Sequence, residues 1–508
     1  MLAKTFGSAL VGIHASIITI ETHVGQGSKC YLVGLPDSTI KESIQRVESA
    51  IKQIGYFFPR RKVVINLAPA DIRKEGSGYD LPIALGLLQA SEQTKMIGLA
   101  DYLIMGELSL TGEIRPIKGA LSMAIEAKKQ GIKSLILPRE NAVEAALIDG
   151  LDIYGMVNLR DTIRFLHGRK QATVKAPSTL QVNLPYEDDF SQIKGQEKAK
   201  RAIEIAVAGG HNLILVGPPG SGKTMMAKRI PSIMPPMNLS EIIETTQIHS
   251  IVGKLSSENP LITERPFRAL HHSISAPALI GGRTNPQPGE ISLAHQGVLF
   301  LDELPEFQRH VLELLRQPLE ERKVPISRAH GTVEFPANFL LISAMNPCPC
   351  GYFHHPDKPC TCKPFQVDRY LHRISGPLLD RIDMHLEVFP LKYTEMFNEQ
   401  ASETSALIRE RIIKARNTQK DRFVDLAKIQ TNAEMNSEQV KQVCVLDPSS
   451  TTLLQTAIEK LQLSARAHDR ILKMARTIAD LAYSSSIQTK HVAEAITYRN
   501  LDRENWSG

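Results

Sequence analysis

The chain has 508 residues, 42% of them hydrophobic and 22% charged, with a formal net charge of +6. That length divides into two to four domains more readily than it fills one core. No stretch approaches the roughly 18 uninterrupted apolar residues of a membrane-spanning helix, six cysteines in so long a chain exclude a disulfide scaffold, and the mild basic charge is compatible with a nucleic-acid partner without identifying one.

In chain order, Lys4 is followed by a mildly apolar run from Val11 to Ile20, interrupted by Gly12, His14, Ser16 and Thr19. No small-residue cleavage site follows, so the run reads as a β-strand and not as a signal peptide, and the expected location is the cytoplasm. Leu103-Ile104-Met105 and Leu135-Ile136-Leu137 read as buried strands. Between them Ala120, Met123, Ala124 and Ala127 mark one face of a helix. Residues 1–170 thus form a first, α+β domain. Residues 171–190 are polar, with two prolines and the acidic cluster Glu187-Asp188-Asp189, and read as a linker.

Residues 191–392 repeat a strand-then-helix pattern. The strands Leu213–Val216, Val298–Leu301 and Phe339–Ala344 are near-continuous apolar runs, as in a parallel α/β sheet covered on both faces. The first leads straight into Gly217-Pro218-Pro219-Gly220-Ser221-Gly222-Lys223-Thr224, and Ala227 and Ile230 mark a helix after it. Strand, glycine loop and helix in that order are the setting of a phosphate-binding loop. The glycines let backbone N–H groups curl round phosphates, and the helix N-terminus favours their charge. ATP is the expected ligand, with Lys223 reaching the β and γ phosphates and Thr224 holding Mg²⁺.

The second strand ends in Asp302-Glu303. Asp302 is expected to bind Mg²⁺ through water and Glu303 to polarise the attacking water. Asn346, at the tip of the third strand, is expected to orient that water. Arg381, in Gly376-Pro-Leu-Leu-Asp-Arg-Ile-Asp383, could enter a neighbouring subunit's site as an arginine finger. The alternative for it is an ion pair within the chain, to Asp380 or Asp383. Residues 393–508 are helical in pattern, with Ile471, Met474, Ala475, Ile478, Leu481 and Ala482 at helical spacing. Arg466, at the start of that helix, is placed ahead of Arg470 as a contact for the γ-phosphate.

Four of the six cysteines lie within residues 348–362. Cys348, Cys350, Cys360 and Cys362 could surround one structural Zn²⁺ and staple a loop that begins two residues after Asn346. His354 and His355 lie inside the loop and could replace one ligand; the alternative is four free thiols. Cys30 and Cys444 stand alone.

With these residues in place, the chain resembles AAA+ ATPases of the magnesium-chelatase-like group, and its resemblance to the ComM/YifB family runs the full length. The marks are Arg268-Ala-Leu-His271-His272-Ser, Gly281-Gly282-Arg283 with Pro288-Gly289-Glu290, Ala344-Met-Asn346-Pro-Cys348-Pro-Cys350-Gly, and the Arg381 segment. The resemblance implies an AAA+ P-loop α/β core with a helical lid, assembled as a hexameric ring. It implies two insertions facing the pore, one around residues 265–295 and one the hairpin Val324–Pro336, with Arg283, Arg328 and His330 as candidates for contacting a phosphate backbone. It also implies an ATP-dependent DNA translocase or helicase, promoting branch migration while transforming DNA is integrated by homologous recombination. Its partners would be single-stranded, branched or D-loop DNA and a recombinase or other recombination proteins. The alternative is an AAA+ remodeller of a protein partner, as in magnesium chelatase.

Residues 1–170 resemble the Lon-protease-like domain, also found fused to a recombination ATPase. The carrying segments are Lys74-Glu75-Gly76-Ser77-Gly78-Tyr79-Asp80-Leu81-Pro82 and Leu110-Thr-Gly-Glu113-Ile-Arg-Pro-Ile-Lys118. Aligned by motif, the serine nucleophile of that family falls on Gly78 and its lysine base near Leu121. Ser77 and Lys118 are close in sequence but out of register, so no peptidase activity is expected.

Overall fold

The computed structural model of the chain describes residues 1–169, 171, 173–175, 188–256, 258–282, 286–328, 331–355, 357–390, 402–424 and 429–499. The N-terminal part is built on a mixed sheet. Its first strands, β1 (Leu2–Val11) and β2 (His14–Gly25), form one long hairpin with Val11 opposite His14. The single strand expected over Val11–Ile20 is therefore a reversal: Gly12, at φ +63°, turns the chain. The apolar pattern continues on both arms, so periodicity alone could not mark the turn. The strands β3 (Cys30–Val33), β4 (Lys62–Ala68), β5 (Tyr102–Ile104), β6 (Ser134–Pro138) and β7 (Asp152–Met156) complete the order β3-β4-β2-β1-β5-β6-β7. The helix Ala120–Lys129 packs on β2 with Ala120, Met123, Ala124 and Ala127 all buried. The helix Asp80–Ala90 lies on β1 and β2, and Asp80 at its start is buried and held by Arg46 Nε at 2.7 Å.

The second sheet is all parallel. Its strands are β8 (Leu213–Val216), β9 (Phe267–Leu270), β10 (Val298–Leu301), β11 (Leu340–Met345) and β12 (Met384–Glu387), in the order β9-β10-β11-β8-β12. Every residue of β8, β10 and β11 is buried, which is why these strands read as unbroken apolar runs. Residues 267–270 do not belong to the first pore insertion that the resemblance implies around 265–295; they form the edge strand β9, paired with β10. A four-residue edge strand carrying Arg268 has no strand signature; Arg268 is held instead by Glu290 at 2.5 Å.

The C-terminal helices do not build a core of their own. Ser405–Arg422 and Ala465–Leu481 pack on the helix Glu197–Gly209, and one hydrophobic core runs from Phe190 across a face of the sheet to Tyr498. Within that seam His211 is buried against Thr477 Oγ1 at 2.8 Å, and burial pushes its pKa down to about 4. The N-terminal sheet docks on the helix Leu239–Val252. Gln247 Nε2 donates to the Ile13 carbonyl at 2.7 Å, Ser250 Oγ donates to Glu144 at 2.5 Å, and the Gly119 N–H donates to Ser250 Oγ at 3.0 Å. Glu144 is 2% exposed, and burial raises its carboxyl above the usual range. Among the described residues no helix is long and apolar enough to cross a membrane.

Candidate functional site

The loop Gly217–Thr224 links β8 to the helix Lys223–Ile233, with Gly222 at its N-cap. Two glycines are dictated by geometry. A Cβ on Gly217 would stand 2.2 Å from the Val388 carbonyl oxygen, and Gly222 sits at φ +85°. The result is a turn of backbone N–H groups at a helix N-terminus, which suits phosphate. Lys223 is buried, its Nζ donating to the carbonyls of Gly217 at 2.7 Å and Pro218 at 2.9 Å, with Asn346 Oδ1 at 3.4 Å. Burial lowers its pKa and the nearby Asp302 opposes that shift. Its ammonium is thus held by weak acceptors that a phosphate would outcompete.

Thr224 Oγ1 donates to Asp302 Oδ2 at 2.6 Å, so the two expected Mg²⁺ oxygens converge on one point. Glu303 follows at φ +53°, a left-handed conformation uncommon for a side chain of this kind, and its own N–H donates to Asp302 Oδ1 at 2.9 Å. The turn aims the exposed Glu303 carboxylate across the strand ends, where its Oε2 lies 3.6 Å from His272 Nδ1. His272 stacks tilted on His271 at 4.0 Å. The sequence marks this histidine pair only as part of a family motif; its place just past β9, beside β10, is visible only once the strands are ordered.

The arginines separate. Arg381 is tucked in, 10% exposed by its side chain, with Nη2 2.6 Å from Glu320 and Nη1 donating to the Pro377 carbonyl at 2.6 Å. The ion pair within the chain exists, but its partner is Glu320 and not Asp380 or Asp383. Asp383 instead accepts from the Asn212 N–H at 2.9 Å and lies 3.5 Å from Arg470. Arg470 also donates to the Ile382 carbonyl at 3.0 Å, which commits it to packing. Arg466 is 64% exposed and lies 3.8 Å from Asp380, a long contact.

The four cysteines come together. Sγ of Cys348 lies 3.4 Å from that of Cys350 and 3.7 Å from that of Cys360, and Cys350 to Cys360 is 3.5 Å. All four sulfurs fall within 4.8 Å of one another. A tetrahedral Zn²⁺ with bonds of about 2.3 Å sets sulfurs about 3.8 Å apart, so the donor set fits that ion. Backbone N–H groups of Phe353 and Cys350 point at Cys348 and Cys362, at 3.3 and 3.4 Å, as thiolates require. His355 Nδ1 accepts from the N–H groups of Asp357 and Lys358 at 3.0 and 3.1 Å, and among the described residues the donors that converge here are the four sulfurs.

Two antiparallel ribbons rise near this sheet. One pairs Gly281–Gly282 with Gln287–Pro288; the other pairs Lys323–Arg328 with Gly331–Pro336. They touch: a Cβ on Gly282 would be 3.3 Å from Arg328 Nη2. Arg328 is exposed at the end of its strand, while Arg283 and His330 lie outside the described residues. The N-terminal hairpin turn leans on the second ribbon at Val333.

In the Lon-like part a cleft of about 390 Å³ is lined by Ser77, Gly78, Glu107 and Lys118 and walled by Ile251, Pro286 and Gln287 of the ATPase. Ser77 Oγ bonds to Glu107. Gly78 faces Met105 and Ile117, Leu121 is fully buried, and the stem of the exposed Lys118 lies over Gly253.

Known proteins resemble this chain along its whole length. Residues 189–396 match the family described as magnesium chelatase, subunit ChlI, residues 20–141 that described as subunit ChlI of Mg-chelatase, and residues 402–499 the subunit's C-terminal family. The chain is 44% identical over 509 residues to the Competence protein ComM of Haemophilus influenzae, covering 99% of this chain and 98% of that one. It is 44% identical over 498 residues to the Uncharacterized protein YifB of Escherichia coli, covering 97% and 96%. The N-terminal part alone is 28% identical over 166 residues to Lon protease 1 of Hydrogenovibrio crunogenus, 30% of this chain and 20% of that protein.

Proposed function

Because the chain belongs to the ComM/YifB family of magnesium-chelatase-like AAA+ ATPases, we propose that it is a ring-forming, ATP-driven motor that moves branched DNA. In this reading it works in the cytoplasm as a hexamer and promotes branch migration while incoming DNA is integrated by homologous recombination. The observation that carries the reading is a nucleotide site joined, in one chain aligned end to end with a competence protein, to two touching β-ribbons that present Arg328.

That family uses ATP with Mg²⁺. Here the loop N–H groups and Lys223 hold the phosphates, while Thr224 and Asp302 hold the cation. Glu303 takes the proton of the attacking water as it approaches the γ-phosphate, and Asn346 orients that water. Arg381 leaves Glu320 to reach a neighbour's nucleotide, and Arg466 meets the γ-phosphate from the helical side. Cys348, Cys350, Cys360 and Cys362 hold a structural Zn²⁺. The N-terminal domain serves as a platform without peptidase activity, since by motif its nucleophile position falls on Gly78 and its base position near Leu121. Arg328, with Arg283 and His330, supplies phosphate-backbone contacts.

The test is ATPase rate with and without forked or three-stranded DNA, together with strand exchange. Stimulation and exchange are expected; neither at low salt would defeat the DNA reading. The second reading, a remodeller of a protein partner, draws on the chelatase families that match all three segments. It predicts stimulation by that partner and indifference to DNA.

A further inference from the structure

The cysteine loop and the phosphate loop are in direct contact. Gly351 is buried at φ +84° with its α-carbon facing Pro219; a Cβ there would stand 2.5 Å from Pro219 Cδ and 2.9 Å from Cγ. Gly351 closes a turn by donating its N–H to the Cys348 carbonyl at 3.0 Å. The same loop starts two residues after Asn346, whose Oδ1 lies 3.4 Å from Lys223 Nζ. The loop therefore abuts the phosphate loop at Gly351 and is joined at its start to a strand end that reaches Lys223.

Nothing regular holds this loop in shape. Between β11 and the helix Pro364–Leu371 the described residues form turns and bends, with no strand or helix. Cys348 is buried in the core, and Cys350, Phe353, Cys360 and Cys362 pack against it only half-buried, so packing anchors the base of the loop and leaves its cysteines partly open. Four sulfurs around one ion would supply the missing constraint, since metal binding lowers the entropy of the loop it closes.

We propose that the cysteine loop is a metal-dependent buttress for the phosphate loop: bound Zn²⁺ fixes the turn at Gly351, and that turn holds Pro219 and the N–H groups after it in the phosphate-binding shape. This rests on the zinc reading above and adds a consequence for nucleotide affinity. Zinc is structural in this scheme and takes no part in hydrolysis. Its loss loosens the loop that Gly217, Gly220 and Gly222 already leave conformationally free.

The experiment uses the full chain, purified without chelator, with metal content and the affinity for a fluorescent ATP analogue measured at fixed free Mg²⁺. Wild type is expected to hold one zinc per chain. Removing it with a zinc-selective chelator should weaken nucleotide binding about tenfold, and adding Zn²⁺ back should restore it. Gly351→Ala keeps all four thiols, so it should retain zinc yet bind nucleotide about tenfold more weakly, because an added Cβ is strained at this φ and meets Pro219. Cys360→Ser should lose both. If zinc is present but nucleotide affinity is indifferent to its removal, the buttress is wrong and the zinc reading stands. A wild-type protein that neither contains nor takes up zinc overturns both. Unchanged affinity in zinc-loaded Gly351→Ala overturns the contact on which the buttress depends.

Discussion

At the C-terminal ends of β8, β10 and β11, two contacts join three separate stretches of chain: Lys223 Nζ lies 3.4 Å from Asn346 Oδ1, and Thr224 Oγ1 donates to Asp302 Oδ2 at 2.6 Å. In the N-terminal cleft, Ser77 bonds to Glu107 and Lys118 lies over Gly253, while Gly78 faces Met105 and Ile117 and Leu121 is fully buried. Both clefts sit where a glycine-bearing segment leads into a helix. Two clefts built on the same local plan thus present different side chains, and function must be argued from the side chains that converge.

The sharpest way to break that contrast is Arg381→Ala, expected to lower turnover by the assembled ring about 10³-fold if this arginine acts across subunits. Mixing Arg381→Ala chains with Lys223→Ala chains should then recover part of the rate, since each supplies what the other lacks at a shared interface. No recovery would confine Arg381 to its pair with Glu320. Glu303→Gln should lower hydrolysis about 10²-fold while leaving nucleotide affinity unchanged, measured as kcat against Kd. A matched loss of binding would mean that Glu303 shapes the pocket instead.

The two seams flanking the ATPase should answer acid in opposite ways. His211, held at about 4 by burial, stays neutral in the fold, whereas the unfolded chain takes up a proton below about 6.5. Its seam is at full strength above that value and loses about 2 kcal/mol by pH 5. Glu144 is raised by burial, so between the unfolded value of about 4.3 and its raised folded value the fold binds a proton more readily than the unfolded chain does. Its burial penalty is relieved as pH falls through the folded value toward about 4.3, and the N-terminal seam tightens. Hydrogen exchange on the helices Ala465–Leu481 and Leu239–Val252 at pH 7 and pH 5 checks this; parallel changes would defeat it. The smallest effect is expected from Ser77→Ala combined with Lys118→Ala. ATPase rate should stay within about twofold, because neither side chain touches the nucleotide site. Loss of a peptidase activity in the double variant would overturn the reading of the N-terminal cleft.

The phosphate loop and the Asp302-Glu303 strand end were legible in the sequence because contiguous residues carry them, and buried parallel strands leave an unbroken apolar mark. The cysteine cluster was legible for the same reason. The edge strand β9 was not, being four residues long with a charged one among them. Nor was the hairpin turn at Gly12, since the pattern on either side of a reversal is the same.

The sequence by itself marked a phosphate-binding loop between a strand and a helix, an acidic strand end and a cluster of four cysteines, each carried by residues close together in the chain. Tertiary structure alone decided the contacts between segments distant in the chain. It gave Arg381 to Glu320, set His272 beside Glu303, put Gly351 against Pro219, and made one core of the sheet and the C-terminal helices. Local chemistry is written in adjacent residues, whereas a partner 61 or 132 positions away is fixed only when strand order and packing bring it near.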